Sequence, residues 1–366
     1  MIHLKLNING IVQGVGFRPF VHRLAKEHGL QGCAFNNASG IVIHIQGTWE
    51  NVTVFCEELS TKAPHLARIE SISKEEKPLQ KWSGFTILDS KNGLHQTLIS
   101  PDIAPCPECI KELMDPDNRR YHYPFINCTN CGPRYTIIKD IPYDRQNTTM
   151  APFKLCYECA KEYQDIEDRR YHAQPNACEK CGPHLSYIGN QKEKDPLDNA
   201  IQDLQSGMIV AIKGIGGFHL ACDAKNKDAV QRLRMRKHRE AKPLAIMVRD
   251  IECALEFVQL SAKEKELLTS SIRPIVLCKK KDPASYRELS HTKEIGILLP
   301  YSPLHILLME KCPSLVMTSA NLADTPVIIR NDEALHQLKE IADSFLIHDR
   351  DIENRLDDSL VRIVLD

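Results

Sequence analysis

Eight of the 14 cysteines in this 366-residue chain form four Cys-x-x-Cys pairs. The two-residue gap lets both thiolates of a pair face one ion from a tight turn, and two such pairs supply the four soft ligands that zinc prefers in a tetrahedron. The pairs are Cys106/Cys109, Cys128/Cys131, Cys156/Cys159 and Cys178/Cys181. Dithiol redox chemistry predicts one reactive pair in a βαβ setting, which this pattern does not match. We therefore expect two structural zinc ions.

The cysteine pairs belong to an internal repeat with a period of 50 residues, because Cys106 recurs as Cys156 (156 − 106 = 50). The Arg-Arg-Tyr-His segment that ends at His122 likewise recurs at His172. Duplication of one small unit explains this pattern. Each zinc either joins two consecutive pairs or joins pairs exchanged between the repeats. The two histidines are either spare ligands or, as we favour, stacking and hydrogen-bonding residues.

A glycine-rich stretch, Gly10–Arg18, joins the first predicted strand to the first predicted helix. Its three glycines let backbone N–H groups converge on an oxyanion, and the following helix N-terminus adds its dipole. Arg18 adds a forked donor that is always charged. On composition alone, a glycine-rich turn without function is the alternative.

The same stretch resembles the acylphosphatase motif Gly-x-Val-Gln-Gly-Val-x-Phe-Arg, and the second half of that motif matches at 32–37 and 40–42. The resemblance implies that Arg18 and Asn36 are catalytic, with Arg18 holding the phosphoryl group and Asn36 orienting the attacking water. No nucleophilic side chain is needed, because positioning and charge stabilisation suffice for an acyl phosphate. A vestigial anion site is the alternative.

A basic run spans residues 232–242. Such runs are usually solvated helix faces, and RNA binding is a second interpretation, although this run lacks interleaved aromatic residues for base stacking. No Gly-Lys dipeptide of a P-loop occurs in the chain. The elements 237–239, 242–244 and 318–321 instead resemble those of the YrdC-like fold, whose members condense a carbamate with ATP to give an acyl-adenylate and pyrophosphate.

That resemblance implies a site in which clustered cations hold the triphosphate and the leaving pyrophosphate. The implied nucleotide- and carbamate-binding residues are Lys237, Arg239, Ser319, Asn321, Lys213, Lys242, Thr318 and Arg273. For Lys213, Lys242 and Arg273, the alternative interpretation is a surface charge at the rim of the fold.

These residues need elements that position them, and periodicity divides the chain into three blocks, 1–90, 91–190 and 191–366. Polar linkers at 90–105 and 190–195 separate the blocks. The first block follows the order strand, helix, strand, strand, helix, strand, with its last strand at 85–88, which predicts a ferredoxin-like βαββαβ acylphosphatase domain. The second block is a small duplicated zinc-finger domain.

The third block alternates helical segments with short β-rich runs, which predicts a layered YrdC-like α/β domain. Its predicted strands are 208–213, 244–248, 274–278, 295–299, 315–318, 345–348 and 360–365. The sequence Ser261–Glu264 predicts a capping box at the start of a helix. The fold class is therefore multidomain, α/β and α+β.

Charge and hydropathy limit the class of protein. Forty-seven Lys and Arg against 48 Asp and Glu leave a net charge of −1, so no global field attracts nucleic acid or an anionic membrane. Apolar stretches such as 208–212 end long before a bilayer-spanning length, and the N-terminus lacks a secretion-signal pattern. We therefore expect a cytoplasmic protein without a membrane partner. The six cysteines outside the pairs (14 − 8 = 6) are expected to pack as small core residues.

The order acylphosphatase-like, double zinc repeat, YrdC-like resembles the HypF family of hydrogenase maturation carbamoyltransferases. Segments 132–137, 142–150, 213–223, 348–352 and 357–362 agree as well. The resemblance implies cleavage of carbamoyl phosphate to carbamate and phosphate, then activation of carbamate by ATP, with Mg²⁺, as carbamoyl-adenylate. It further implies an acceptor of the HypE type, whose C-terminal cysteine takes the carbamoyl group on the way to the cyanide ligand of nickel–iron hydrogenase.

Members of that family continue into a large transferase domain. This sequence ends at Asp366, so we expect the transfer step to be absent from it, because the chain is either a fragment or works with a separate transferase polypeptide. A threonylcarbamoyl-adenylate synthase for tRNA modification is the alternative function, but it requires neither the acylphosphatase loop nor the zinc repeat. A non-catalytic zinc scaffold or RNA-binding module leaves the Arg18/Asn36 combination unexplained.

Overall fold

The structure of the protein is a computed structural model that describes residues 1–64, 66–90, 98–190, 195–321 and 325–364. Its strands are β1 (Ile2–Ile11), β2 (Gln31–Asn37), β3 (Gly40–Gly47), β4 (Arg68–Glu76), β5 (Phe85–Ile87), β6 (Leu185–Ile188), β7 (Val210–Lys213), β8 (Phe218–Asp223), β9 (Ile246–Val248), β10 (Ile275–Lys279), β11 (Glu294–Leu298), β12 (Ser314–Ser319), β13 (Ser344–His348) and β14 (Leu360–Val361). Its α-helices are α1 (Phe17–Glu27), α2 (Trp49–Thr61), α3 (Pro107–Met114), α4 (Tyr157–Gln164), α5 (Pro196–Gln205), α6 (Lys227–Arg236), α7 (Ile251–Phe257), α8 (Ala262–Thr269), α9 (Pro303–Lys311) and α10 (Asn331–Gln337).

The chain divides into two compact units, Met1–Asp102 with Asn127–Asn176, and Ile103–Ile126 with Ala177–Asp366. The boundaries 1–90, 91–190 and 191–366 stay a prediction. Residues 91–97 and 191–194 of the predicted linkers lie outside the described residues.

The first unit contains a five-stranded sheet of order β4-β1-β3-β2-β5. Strand β1 runs antiparallel to β3 and β4, and β2 runs antiparallel to β3 and parallel to β5. The ferredoxin-like prediction is confirmed with one correction. The fourth strand is β4, and the segment predicted to be the last strand is a fifth one, β5. Sequence analysis misses β4 because most residues of this edge strand are exposed, so it has little apolar alternation.

Helices α1 and α2 bury one face each in the core of this unit. Val21 and Leu24 of α1 and Phe55 of α2 pack in one cluster with Leu6 and Ile8 of β1. Burial of a side chain of this size stabilises the fold by roughly 1.5–3 kcal/mol. The cluster therefore fixes the N-terminus of α1, where the glycine-rich stretch ends.

The second unit contains a nine-stranded sheet of order β14-β10-β11-β9-β12-β8-β7-β13-β6. It mixes parallel pairs, such as β7 with β13, and antiparallel pairs, such as β8 with β12. The layered α/β prediction is confirmed, and β6 and β8 are strands that the sequence analysis does not predict. Strand β8 is buried along nearly its whole length, so it shows no alternation of apolar and polar residues.

Local predictions in this part of the chain are confirmed as well. Ser261 and Glu264 form the capping box at α8, with a 2.7 Å hydrogen bond from Ser261 N to the Glu264 carboxylate.

Of the six cysteines outside the pairs, five are buried and Cys56 is half-buried. No helix among the described residues is both long and apolar enough to span a membrane.

Candidate functional site

The glycine-rich loop begins at a bulge in β1. The register between β1 and β4 shifts at Gly10, whose φ of 125° suits glycine, and a Cβ there would lie 2.1 Å from the Arg68 carbonyl oxygen. Gly14 and Gly16 have φ of 71° and 72°, in the left-handed region that favours glycine, and Gly16 is the N-cap of α1. The loop therefore leads directly into a helix N-terminus, an arrangement that binds oxyanions.

Arg18 lies at this helix N-terminus, as predicted. It is 8% exposed and lines a small cavity of about 20 Å³ at the loop. Its Nη2 atom lies 3.7 Å from Asp144 Oδ1. The guanidinium is therefore held next to the loop by a carboxylate that the sequence analysis does not select.

Asn36 is on the neighbouring strand β2 and is 1% exposed. Its Oδ1 atom has no hydrogen-bond partner within the described residues. The next residue, Asn37, accepts a 2.7 Å hydrogen bond from Gln13 Nε2, which ties β2 to the loop. Among the described residues, Asn36 does not line the cavity that Arg18 lines. A buried amide oxygen without a hydrogen bond reduces stability by about 1–3 kcal/mol. Such an oxygen is typical of a site where a water or a ligand donates the missing hydrogen bond.

Residues 129–174 complete the cavity, and the sequence analysis does not predict their role. Arg134 Nε donates to Gly14 O at 2.6 Å, and Tyr143 N donates to Gln13 Oε1 at 3.2 Å. Burial raises the pKa of Tyr143 to about 12, so its hydroxyl keeps its proton. The cavity is lined by Val12, Gln13, Gly14, Gly16, Phe17, Arg18, Pro19, Thr129, Arg134, Tyr143, Tyr171, His172, Ala173 and Gln174. The available signal was that 132–137 and 142–150 agree with the resembled family.

The eight paired cysteines form two clusters of four sulfur atoms. One contains Cys106, Cys109, Cys128 and Cys131, and the other Cys156, Cys159, Cys178 and Cys181. Within each cluster, all Sγ atoms lie within 4.8 Å of one another. A tetrahedral zinc with bonds of about 2.3 Å separates its sulfur ligands by about 3.8 Å. The Sγ atoms of Cys128 and Cys131 are 3.7 Å apart, and those of Cys178 and Cys181 are 3.8 Å apart.

The clusters thus fit two zinc ions, and each joins consecutive pairs, so sequential closure is confirmed. Neither His122 nor His172 belongs to a cluster of the described residues. The His122 ring instead stacks on Tyr121, with ring centroids 3.8 Å apart, and the His172 ring is tilted against Tyr163, with ring centroids 4.9 Å apart. The stacking interpretation is confirmed for His122, whereas His172 makes tilted and edge-on ring contacts.

Two zinc ions per chain are expected from elemental analysis of the purified protein. Cys128→Ser is expected to reduce the content to about one ion, because three remaining ligands leave the tetrahedral site open. Cys56→Ser is the matched control, since Cys56 is half-buried and outside both clusters, and it is expected to retain both ions. Two ions in Cys128→Ser would contradict the assignment of ligands.

A larger cavity of about 390 Å³ lies in the second unit. Four predicted residues line it: Arg239, Lys242, Thr318 and Ser319. Lys237 Nζ donates to the Ser319 carbonyl and, at 3.1 Å, to Asn321 Oδ1. Arg239 Nη1 donates to Thr318 Oγ1 at 2.7 Å. The structure therefore brings together motif elements that are 79 to 84 residues apart in the chain.

The electrostatics of this cluster favour a polyanion. Burial, together with the charges of Arg239 and Lys242, lowers the pKa of Lys237 to about 8. Burial also lowers the pKa of the Arg239 guanidinium, whose Nε atom is buried without a hydrogen-bond partner in the described ranges. Mutual repulsion of the cations is relieved when phosphate oxygens bind, so the cluster is built to take an anion.

Two further predicted residues lie away from the lining of this cavity. Lys213 is 1% exposed and donates to the His348 carbonyl at 3.1 Å, so its interpretation as a surface charge is wrong. Burial lowers the pKa of Lys213 to about 8. Arg273 is half-buried and donates to the Pro300 carbonyl.

The lining of this cavity also contains a histidine–carboxylate pair that the sequence analysis does not predict. His219 and Asp358 both line it, with His219 Nε2 at 3.2 Å from Asp358 Oδ2. Burial alone raises the pKa of the Asp358 carboxyl, but the hydrogen bonds and charges of His219, Tyr301 and His305 together outweigh burial, so the pKa is lowered. Both residues lie in segments, 213–223 and 357–362, that agree with the resembled family.

Three family profiles match the chain in order. The acylphosphatase profile matches residues 4–87, the HypF finger profile matches 106–138 and 155–188, and the Sua5/YciO/YrdC profile, described as telomere recombination, matches 202–366. The fold and the sites therefore define a protein with an acylphosphatase domain, paired zinc fingers and a Sua5/YrdC domain.

Similar proteins share all three parts. Carbamoyltransferase HypF2 of Cupriavidus necator is 48% identical over 386 residues, with 99% of this chain and 48% of the relative covered. Carbamoyltransferase HypF of Synechocystis sp. is 48% identical over 369 residues, with the same coverage of 99% and 48%. A crystal structure of full-length HypF, in a phosphate- and nucleotide-bound form, is similar with a TM-score of 0.96 and 46% identity, covering 99% of this chain and 48% of that one.

Over 99% of its length, the chain is similar to carbamoyltransferases of the HypF family. It spans about half the length of the curated relatives that it matches.

Proposed function

We propose that this chain performs the first two steps of a carbamoyl transfer. It hydrolyses carbamoyl phosphate at the loop with Arg18 and activates the resulting carbamate with ATP in the cavity near Lys237. The observation that carries the proposal is the presence of both anion sites in one chain that is similar to carbamoyltransferases of the HypF family. The related structure, described as phosphate- and nucleotide-bound, supports both kinds of ligand.

In the first step, water attacks phosphorus and the bond from phosphorus to the acyl oxygen breaks. Carbamoyl phosphate and water give carbamate, hydrogen phosphate and one proton. Arg18 and the loop N–H groups stabilise the charge on the phosphoryl oxygens, and charge stabilisation of this kind is usually the largest catalytic contribution. The unsatisfied Oδ1 of Asn36 accepts a hydrogen bond from the attacking water and orients it.

In the second step, a carbamate oxygen attacks the α-phosphorus of ATP, and pyrophosphate leaves as carbamoyl-adenylate forms. Lys237, Arg239 and Lys242 hold the phosphates, because cations are favoured where negative charge collects on the leaving group. Thr318, Ser319 and Asn321 supply neutral donors and acceptors for nucleotide or carbamate oxygens. The cavity of about 390 Å³ lies within the range of small-molecule sites.

In this proposal, Lys213 and Arg273 lie outside the cavity lining and stabilise the site from neighbouring positions. Magnesium accompanies ATP as the counter-ion of the triphosphate. The three parts of the protein are proposed as domains with boundaries 1–90, 91–190 and 191–366. The acceptor of the carbamoyl group is a HypE-type protein, the reaction takes place in the cytoplasm, and neither nucleic acid nor a membrane is a partner.

The proposal is tested by product analysis with the full chain. Phosphate release from carbamoyl phosphate is expected without ATP, and pyrophosphate release from ATP is expected only when carbamate is present or generated. Pyrophosphate release supported by threonine and bicarbonate would favour threonylcarbamoyl-adenylate synthesis instead. That alternative leaves the Arg18 loop without a role.

A further inference from the structure

The cavity at the acylphosphatase loop has a wall that the loop itself does not provide. Residues 171–174, a turn of the second cysteine repeat, line it together with Arg18 and the glycine-rich loop. All of these residues belong to the first compact unit. The cavity measures about 20 Å³, and a single water needs about 10–15 Å³ on the same measure. The turn 171–174 therefore borders the space that a ligand held by Arg18 enters.

Most polar groups of this wall are already occupied. Gln174 Oε1 accepts from Arg145 N and from the Tyr163 hydroxyl, each at 2.8 Å. Gln174 Nε2 donates to the His172 carbonyl at 2.9 Å. Arg134 Nε is bonded to the Gly14 carbonyl at 2.6 Å. Neither side chain is left to recognise an acyl group.

The ring of His172 differs from these two side chains. Its hydrogen bonds within the described residues involve its backbone: the N–H donates to Tyr163 O at 3.0 Å, and the carbonyl accepts from Gln174. Burial, with a smaller contribution from the Arg18 charge, lowers the pKa of His172 to about 4. The ring is therefore neutral at pH 7, with one nitrogen able to accept a hydrogen bond, and His172 lines the cavity.

In the first repeat, the equivalent histidine has the same backbone conformation, but its ring has different surroundings. His122 occupies the equivalent position with φ of 54°, against 51° for His172. Its N–H donates to Leu113 O at 2.8 Å, as that of His172 does to Tyr163 O. The His122 side chain, however, is 43% exposed, and its Nε2 atom lies 3.8 Å from Glu310 Oε2. The left-handed backbone is therefore a feature of both repeats. Of the two histidines, His172 is the one that lines the cavity at the Arg18 loop.

We propose that the turn 171–174 selects the acyl group at the Arg18 site, with His172 as the specificity-determining residue that accepts a hydrogen bond from the carbamoyl amide. This inference rests on the proposed hydrolysis of carbamoyl phosphate and deepens it. The carbamoyl group presents two N–H donors where acetyl presents a methyl group, so an acceptor in the wall favours carbamoyl. The turn also leaves less room for a bulky aromatic acyl group such as benzoyl than for a carbamoyl group.

The test compares His172→Gly with His122→Gly in the full chain, because glycine removes each ring and suits the left-handed backbone at both positions. The measured quantities are kcat/KM for carbamoyl, acetyl and benzoyl phosphate, and the inhibition constant of inorganic phosphate. For His172→Gly, the ratio of carbamoyl to acetyl phosphate is expected to fall by about tenfold or more. Benzoyl phosphate hydrolysis is expected to rise, while the phosphate inhibition constant stays within about twofold because the loop is unchanged. His122→Gly is expected to leave both substrate ratios unchanged.

The two variants distinguish a specific role of the His172 ring from a general effect on the repeats. Unchanged substrate ratios in His172→Gly, with carbamoyl phosphate still hydrolysed, would overturn the assignment of His172 and leave the proposed function intact. Equal changes in both variants would also overturn it, since they would indicate a general effect on the repeats. Failure of the unaltered chain to hydrolyse carbamoyl phosphate would overturn both the proposed function and this inference.

Discussion

Arg18→Ala is expected to lower kcat/KM for carbamoyl phosphate hydrolysis by about 100- to 1,000-fold, the cost of removing one preorganised donor to a developing anion. Arg18 is 8% exposed and lines the loop cavity, so its guanidinium meets the phosphoryl group with little competition from water. Hydrolysis is measured as phosphate released without ATP. Arg18→Lys is expected to recover only part of the rate, because lysine lacks the forked donor pair.

Arg23→Ala is the matched control for this variant. Arg23 is on the same helix, α1, and is exposed, so its removal is expected to leave hydrolysis unchanged. Zinc content and circular dichroism show whether each variant is folded. A loss of less than about tenfold in folded Arg18→Ala would contradict a role for this arginine in transition-state stabilisation.

Lys237→Ala is expected to lower carbamate-dependent pyrophosphate release by about 100-fold or more, with a raised KM for ATP. Lys237 bonds to Ser319 and Asn321, so its loss removes a phosphate-binding charge and also frees the 318–321 segment that it holds. Lys227→Ala is the control, because Lys227 is exposed at the other end of α6 and is expected to be neutral to activity.

The pH profile gives a second readout of Lys237. The pKa of its amine is lowered to about 8, so the charge is present below that pH and is lost as the pH rises through it. kcat/KM for ATP, which reports the free enzyme, is therefore expected to fall above about pH 8. Lys237→Arg keeps its charge at that pH and is expected to shift the fall upward. An unchanged profile in active Lys237→Arg would show that another group causes it.

Local sequence patterns predict much of this protein. The cysteine pairs, the glycine-rich loop and the capping box at Ser261 depend on residues close together in sequence, where the chemistry of a turn or a helix end is sufficient. Strands β4 and β8 are not predicted, because an exposed edge strand and a nearly fully buried strand both lack clear alternation of apolar and polar residues. Strand β6, also not predicted, is an edge strand of only four residues.

Contacts between distant segments explain what the sequence analysis missed at the sites. Arg134 reaches Gly14 across 120 residues, and His219 meets Asp358 across 139. No periodicity or spacing encodes such contacts in a single sequence. Resemblance to a family predicted that the elements containing Lys237 and Ser319 belong to one site. The structure shows the hydrogen bond that joins them.

The most direct test of the two-step account is pyrophosphate release from ATP by the purified chain, with and without carbamoyl phosphate. We expect release that requires carbamoyl phosphate, disappears in Arg18→Ala and returns in that variant when carbamate is supplied directly. Restoration by carbamate would show that Arg18 acts before adenylation and that the site near Lys237 is intact. Release that is independent of carbamoyl phosphate and carbamate, or that remains undiminished in Arg18→Ala with carbamoyl phosphate alone, would contradict the account.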